Sequence, residues 1–383
     1  MDLNKNHSTD NYYHEILRNT DFIDFSKKYY LKSIKKKVIT TRILFLNYLA
    51  SFLSNKVSKY FSYGFLEDEL NLISNELDIV CSDEMILNST LHIMTQAYSI
   101  GGHTKLVEQF VINLGFKHEH SVLITNHKCD IPQSLIDIIS NNGKIYQLRK
   151  SNFIKKAQEL ALIASKYEKV VLHIHPYDIL PNLAFANNNF KRDIIFFNHA
   201  DHMFSVGYSI SNMVAELSEE GRQFSREYRG IKNNHVINIP IGRNNNVISR
   251  MEAREYLGIP EKKKIILSIA SEYKYGDGKE FINLAKRIIA NNDAVEFILI
   301  GPSIKSDIWN SAKKESNNKI NPLGIISRDK LVYYTKAADL YIESFPFASY
   351  TAFLDVASYN INLLTLKNPY SFFGCSKKFI QSM

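Results

Sequence analysis

Four histidines and two acids lie directly after two short apolar runs, in VLHIHPYD at 171–178 and FFNHADH at 196–202. His173 and His175 alternate by two, so they share one face of a strand end. With Asp178, His199, Asp201 and His202 they offer three kinds of chemistry. They can hold zinc, as in a metal-dependent hydrolase, although the spacing fits a tetrahedral site loosely. They can be hydrogen-bonded wall residues. Or they can move protons. For the NHADH loop proton transfer is preferred, because three ionisable groups in four positions behind IIFF suit core packing poorly. An imidazole, with an ordinary pKa of about 6.5, can take a proton from an attacking hydroxyl at neutral pH. Asp201 or His202 is then the candidate base, and His199 shapes the cleft.

Three further stretches carry polar groups at comparable places. GGH, residues 101–103, opens a helix, and Gly101, Gly102 and His103 would let backbone N–H groups approach a phosphate or sugar. Thr104 can cap that helix. In SEYKYGDG (271–278), Lys274 can pair with a diphosphate as a compact cation and Ser271 can add a hydroxyl. In ADLYIESFPFASYTAFLDVASYNINLLT (338–365), Ser349, Tyr350 and Thr351 open a helix and would offer N–H groups to a pyrophosphate. Asp355 one turn later can reach a ribose hydroxyl, and Glu343 marks an acidic strand end.

The elements that position these groups alternate in type. Strands are predicted at 89–97, 121–127, 144–149, 169–175, 193–199 and 235–242, with helices over 104–115, 134–143 and 152–167 and helix again within 205–229. A second series has strands at 263–270, 295–302, 339–344 and 361–366, with helices over 278–292 and 328–338. Strands separated by helices predict βαβ units and parallel sheets. In such sheets ligands sit at the carboxyl ends of strands, where every motif above falls. The expected fold is therefore α/β, with two Rossmann-like domains facing a cleft: residues 86–250 on the acceptor side and 251–383 on the nucleotide side.

Residues 1–85 read as a helical leader. From Phe25 to Leu66 there are nine Lys or Arg and no acid, and apolar residues recur at three- and four-residue spacing. Such a helix either packs on the protein body or lies on an anionic membrane surface. The stretch 38–54 is too short and too polar to be read as a span, and the polar N-terminus does not read as a signal peptide.

The chain has 383 residues, 45% hydrophobic and 22% charged, with a net charge of +8. That is ordinary globular composition, with a basic balance favouring anionic partners. Cys81, Cys129 and Cys375 have no close spacing, which excludes a zinc-finger pattern and fits a reducing cytoplasm.

Residues 338–365 resemble the donor-binding segment of O-GlcNAc transferase and of bacterial protein N-glycosyltransferases. That segment runs from an acidic strand end through Phe-Pro and a Gly/His/Thr-rich turn to a strand ending in Thr. LHIMTQAYSIGGHTKLVEQFV (91–111) and FFNHADHMFSVG are similar to segments of GT-B glycosyltransferases from bacterial surface-polysaccharide clusters. The resemblance implies a cytoplasmic enzyme, with peripheral contact at the inner membrane as an option. Its donor would be a nucleoside diphosphate sugar, UDP-linked, used without metal or other cofactor. The acceptor would be a glycan, lipid-linked glycan or protein, with lipopolysaccharide or capsule assembly as the setting and nucleic acid not expected. The resemblance also implies inversion, diphosphate contacts at Lys274, Ser349, Tyr350 and Thr351, a ribose contact at Asp355, and an acceptor side at GGH and NHADH. Two departures stand out. Asn360 replaces a usual Gly, and the chain ends 18 residues after Thr365, which predicts a shortened second domain. A nucleotide-sugar epimerase or hydrolase, a zinc hydrolase and an inactive scaffold are the rival expectations.

Overall fold

The computed structural model describes residues 3–98, 102–115, 117–126, 130–149, 152–201, 203–237, 248–349 and 351–365, with backbone only for 3–12 and Arg328. The chain divides into two compact units, one up to residue 240 and one from 241 to 372.

The first unit is built on seven strands: β1 (Ile86–Met94), β2 (Glu119–Ile124), β3 (Ile145–Gln147), β4 (Tyr167–His173), β5 (Asp193–Phe197), β6 (Met213–Glu216) and β7 (Asn234–Val236). All pairs are parallel, in the order β3-β2-β1-β4-β5-β6-β7. The second unit has β8 (Lys264–Ile269), β9 (Val295–Ile300), β10 (Ile320–Gly324), β11 (Leu340–Ile342) and β12 (Asn362–Leu364), also parallel, in the order β10-β9-β8-β11-β12. In both sheets the order reverses beside the first strand of the unit, as in Rossmann-like sheets. The switch points are β1/β4 and β8/β11. Runs such as VVL at 170–172 and KIILSI at 264–269 read as strands because sheets covered on both faces need apolar side chains throughout.

Some elements depart from the sequence expectation, among them a helix over Leu180–Phe185. Within 205–229, helix begins only at Glu219, where Ser218 accepts a hydrogen bond from the Gly221 N–H; β6 precedes it. Four residues, MVAE, are too few to show a period. A helix over Asp307–Glu315 and strand β10 occupy a stretch without predicted structure. Pro322 argues against a central strand, but β10 is at the sheet edge, where a missing N–H is tolerated.

The leader forms α1 (Leu3–Tyr29), α2 (Ile39–Asn55) and α3 (Gly64–Glu76). Leu46, Leu49, Leu66 and Leu70 join one continuous core with Leu91, Ile93, Val170 and Leu172 of the first sheet. Buried Glu67 accepts hydrogen bonds from the N–H groups of Gly207, Tyr208 and Ser209 at 3.1, 3.3 and 2.6 Å. A carboxylate held by three N–H donors fixes α3 to the loop after β5.

Candidate functional site

At the first switch point the notable groups are histidines from three adjacent strands and from the turn just after a fourth. His120 Nδ1 lies 3.0 Å from His92 Nε2, His92 Nδ1 lies 3.1 Å from His173 Nε2, and His173 Nδ1 lies 2.9 Å from His199 Nε2. The register explains the ladder. His120 pairs with Thr90, two residues before His92, and His173 pairs with Met94, two residues after it. Leu172 pairs with Phe196, so His199 is again two residues beyond the residue opposite His173. A two-residue step keeps every ring on one face of the sheet while moving it diagonally towards the carboxyl ends.

The ladder faces the helix α4 (Gly102–Leu114), between Met94, Val107 and Val122 on one side and Leu106 and Phe197 on the other. The His173 ring stacks on Phe197. Burial pushes His92 down to about 3 and His120 to about 4, and neighbouring histidines add to both shifts. Burial and the rings around them likewise hold His173 and His199 well below the ordinary imidazole range. All four are therefore neutral at pH 7.

Around the upper end of the ladder lie His103 and His175. The His103 ring, on the first turn of α4, is centred 4.3 Å from that of His199. Burial and nearby His175 lower its pKa to about 4. His175 is held between Tyr98 OH and Tyr177 OH, each at 3.1 Å. Thr104 does not cap α4; it lies inside the helix, and its hydroxyl accepts from the Tyr98 N–H at 2.7 Å. Asp178 accepts from Thr95 and Thr125 hydroxyls, both at 2.7 Å, and from the Leu180 N–H. Both His173 nitrogens are engaged by other rings, and no group of three His, Cys, Asp or Glu among the described residues is arranged to hold a metal.

Asp201 is placed differently from His199. A Cβ on Gly221 would lie 2.7 Å from Asp201 Oδ2, so the carboxylate sits against the first turn of the helix Glu219–Arg229. Its carbonyl accepts from Arg229 Nη2 at 2.5 Å. His202, Gly101 and Tyr350 lie outside the described residues.

In the second unit the loops after β8 and β11 meet. Lys274 Nζ donates to the Ala348 carbonyl at 3.0 Å, and the Phe347 N–H donates to the Lys274 carbonyl at 3.0 Å. Close approach here needs Gly276, which has φ +61° and whose Cβ would lie 3.3 Å from Pro346 Cδ. Glu343 organises the second loop: Oε1 accepts from the N–H and the hydroxyl of Ser349 at 3.0 and 2.7 Å, and from the N–H of Ser344 at 2.8 Å. Burial lowers the Lys274 ammonium below its ordinary value, and the Glu343 carboxylate opposes that shift. Ser271 directly follows the sheet and its carbonyl accepts from the Lys274 N–H at 2.9 Å.

No family model matches the chain, and no curated protein matches it in sequence. Solved structures do match in shape. A glycosyltransferase from Rickettsia africae aligns with a TM-score of 0.55 at 15% identity, over 76% of this chain and 81% of that one. HepE from Anabaena, in complex with UDP and glucose, aligns with a TM-score of 0.54 at 11% identity, over 72% and 80%. An O-GlcNAc transferase mutant from Thermobaculum terrenum aligns with a TM-score of 0.52 at 8% identity, over 90% and 71%.

The chain has the GT-B fold.

Within this GT-B chain the expected site residues fall into separate groups. His199 and His103 come together in the first unit, while Asp201 turns to a helix start. Lys274, Glu343 and Ser349 come together in the second. At the expected phosphate turn the Ser349 N–H donates to Glu343 and the Thr351 N–H to the Ser349 carbonyl at 2.6 Å. Asp355 lies within the short helix Thr351–Ala357 that follows. Sequence reasoning misses His92 and His120. The repeated H-x-H at 118–120 and 173–175, at the start of one strand and the end of another in the same sheet, marks His120 but not His92.

Proposed function

We propose that this GT-B chain is a glycosyltransferase, moving a sugar from a nucleoside diphosphate to an acceptor hydroxyl or amide. The observation that carries the reading is the Lys274–Glu343–Ser349 arrangement at the β8/β11 switch point. A half-buried, oriented ammonium at the carboxyl ends of parallel strands suits a diphosphate. The likeness to HepE, solved with UDP and glucose, supports a UDP-linked donor. Lys274 stabilises the departing diphosphate, so no metal is required. On the acceptor side His199 is the base; its Nδ1 takes no part in the ladder. Inversion at the sugar carbon is the proposed outcome. Lipid-linked or other surface glycans are the proposed acceptors.

The experiment is a turnover screen with UDP- and GDP-sugars, with and without EDTA, scored for free nucleotide. Release of UDP that persists in EDTA and falls at least about a hundredfold in His199→Ala supports the reading, the range expected for losing a general base. Release of epimerised or free sugar at full rate without acceptor supports the epimerase or hydrolase reading instead.

A leader surface complements this chemistry. Phe25, Tyr29, Leu44 and Tyr48 are exposed, together with Lys27, Lys28, Lys36 and Lys37. Aromatic and basic groups in one segment suit an anionic lipid surface. No helix among the described residues is long and apolar enough to cross a membrane.

A further inference from the structure

We propose that His120, His92, His173 and His199 form a proton wire that relays a proton from His199 Nδ1 along one face of the sheet to the His118 end. This rests on the glycosyltransfer reading for its source of protons. The wire itself rests on three nitrogen–nitrogen contacts of 3.0, 3.1 and 2.9 Å, each joining Nδ1 of one ring to Nε2 of the next.

Neutral rings in such a chain are not independent. Each carries one proton and each link needs one. If any two neighbours differ in tautomer, their link holds either two protons or none. Only two states satisfy every link: all four protons on Nε2, or all four on Nδ1. The ladder is thus a two-state element whose ends are His199 Nδ1 and His120 Nε2. The latter is buried without a hydrogen-bond partner, next to the His118 ring at 4.8 Å. His118 is partly exposed, and its Nε2 lies 2.8 Å from the Thr90 hydroxyl.

In the Nε2 state His199 Nδ1 bears a lone pair. The attacking hydroxyl gives its proton to that nitrogen as its oxygen bonds to the sugar carbon and the diphosphate leaves with the bonding electrons. His199 passes its Nε2 proton to His173 Nδ1, His173 passes its own to His92, and His92 to His120 Nδ1. His120 Nε2 gives its proton to the adjacent ring of His118, centred 4.8 Å away, and His118, partly exposed, gives one to water. All four rings are neutral before and after, so no imidazolium is left among Met94, Val122 and Phe197. After product leaves, His118 takes a proton from water and returns one to His120 Nε2, and His199 Nδ1 releases one, which restores the first state. His199 is the catalytic residue; the other three act through it and are positioning residues.

The test has two arms. Nitrogen NMR of protein labelled at histidine, at pH 7, needs no substrate. It is expected to show the four ladder rings neutral and in one shared tautomer, with the His199 tautomer shifted in His92→Phe, two rings away. Mixed tautomers, an imidazolium in the ladder, or a His199 signal untouched by His92→Phe overturn the wire, whether or not the chain transfers sugar. The second arm measures kcat in mixtures of light and heavy water. Wild type is expected to show a curved dependence, from several protons in flight. His92→Phe is expected to show a linear one, with kcat at least about tenfold lower and donor KM unchanged. An unchanged kcat and an unchanged isotope dependence overturn it; failure of wild type to transfer any sugar defeats the glycosyltransfer reading and leaves the NMR arm to decide the wire.

Discussion

His92 Nδ1 and His173 Nε2 lie 3.1 Å apart across the strand pair where the first sheet reverses its order. Both rings are buried and both belong to a face packed by α4. The contact joins a sheet's switch point, the usual place for ligands in this architecture, to residues deep in the core.

The buried rings make stability depend on pH. Their folded pKa values are depressed below 6.5, to about 3 for His92 and about 4 for His120. The stability they contribute is present above the unfolded value and is lost as pH falls through that window towards the folded values. Between pH 7 and pH 5, each such ring is expected to cost about 2 kcal/mol of unfolding free energy. Urea denaturation at the two pH values should show a smaller loss in His92→Phe than in wild type, by about that amount. Equal losses would contradict neutral burial of His92.

Glu343 is expected to hold the loop after β11 in shape. Glu343→Ala strands the Ser349 and Ser344 N–H groups that it binds. Each buried donor left without a partner costs about 1–3 kcal/mol. Hydrogen exchange should quicken at Ser344 and Ser349 while amides of β8 keep their protection, and the donor KM should rise. Unchanged exchange at Ser349 would show that the carboxylate is not needed for the loop.

Glu67 is expected to fasten the leader. Glu67→Ala removes the acceptor shared by Gly207, Tyr208 and Ser209. Thermal unfolding should show a lower Tm, and limited proteolysis should open the 207–209 loop first. Cleavage at wild-type rates would contradict that role.

The leader surface predicts binding to vesicles. Sedimentation with vesicles containing anionic lipid should exceed that with neutral vesicles and weaken with salt. Replacing Phe25 and Tyr29 by Ser should reduce it without lowering Tm, since both side chains are exposed. Equal binding to neutral vesicles would point to apolar contact alone.

The two Rossmann-like units are readable from sequence because runs such as VVL and KIILSI are strands under any neighbourhood, and the loops that follow them are marked by Gly, His or Lys. Strand β6 is not readable, because four residues carry no period and Glu219 begins a helix three positions later. The ladder is hidden for another reason. His92 and His120 each sit in an apolar strand, and their meeting depends on strand order and a two-residue register step, which separate strands do not encode. At Ser349 the N–H before a helix start is taken by Glu343, six residues earlier, a partner that the local sequence does not mark.

The most direct measurement is a calorimetric titration of UDP into the protein in EDTA, with Lys274→Met beside it. If Lys274 receives the diphosphate, wild type binds UDP saturably without metal. The variant then binds about ten- to a hundredfold more weakly, the range for losing one charge-assisted contact. Binding of equal strength in wild type and Lys274→Met, or no binding of UDP, GDP or ADP by wild type, would contradict it.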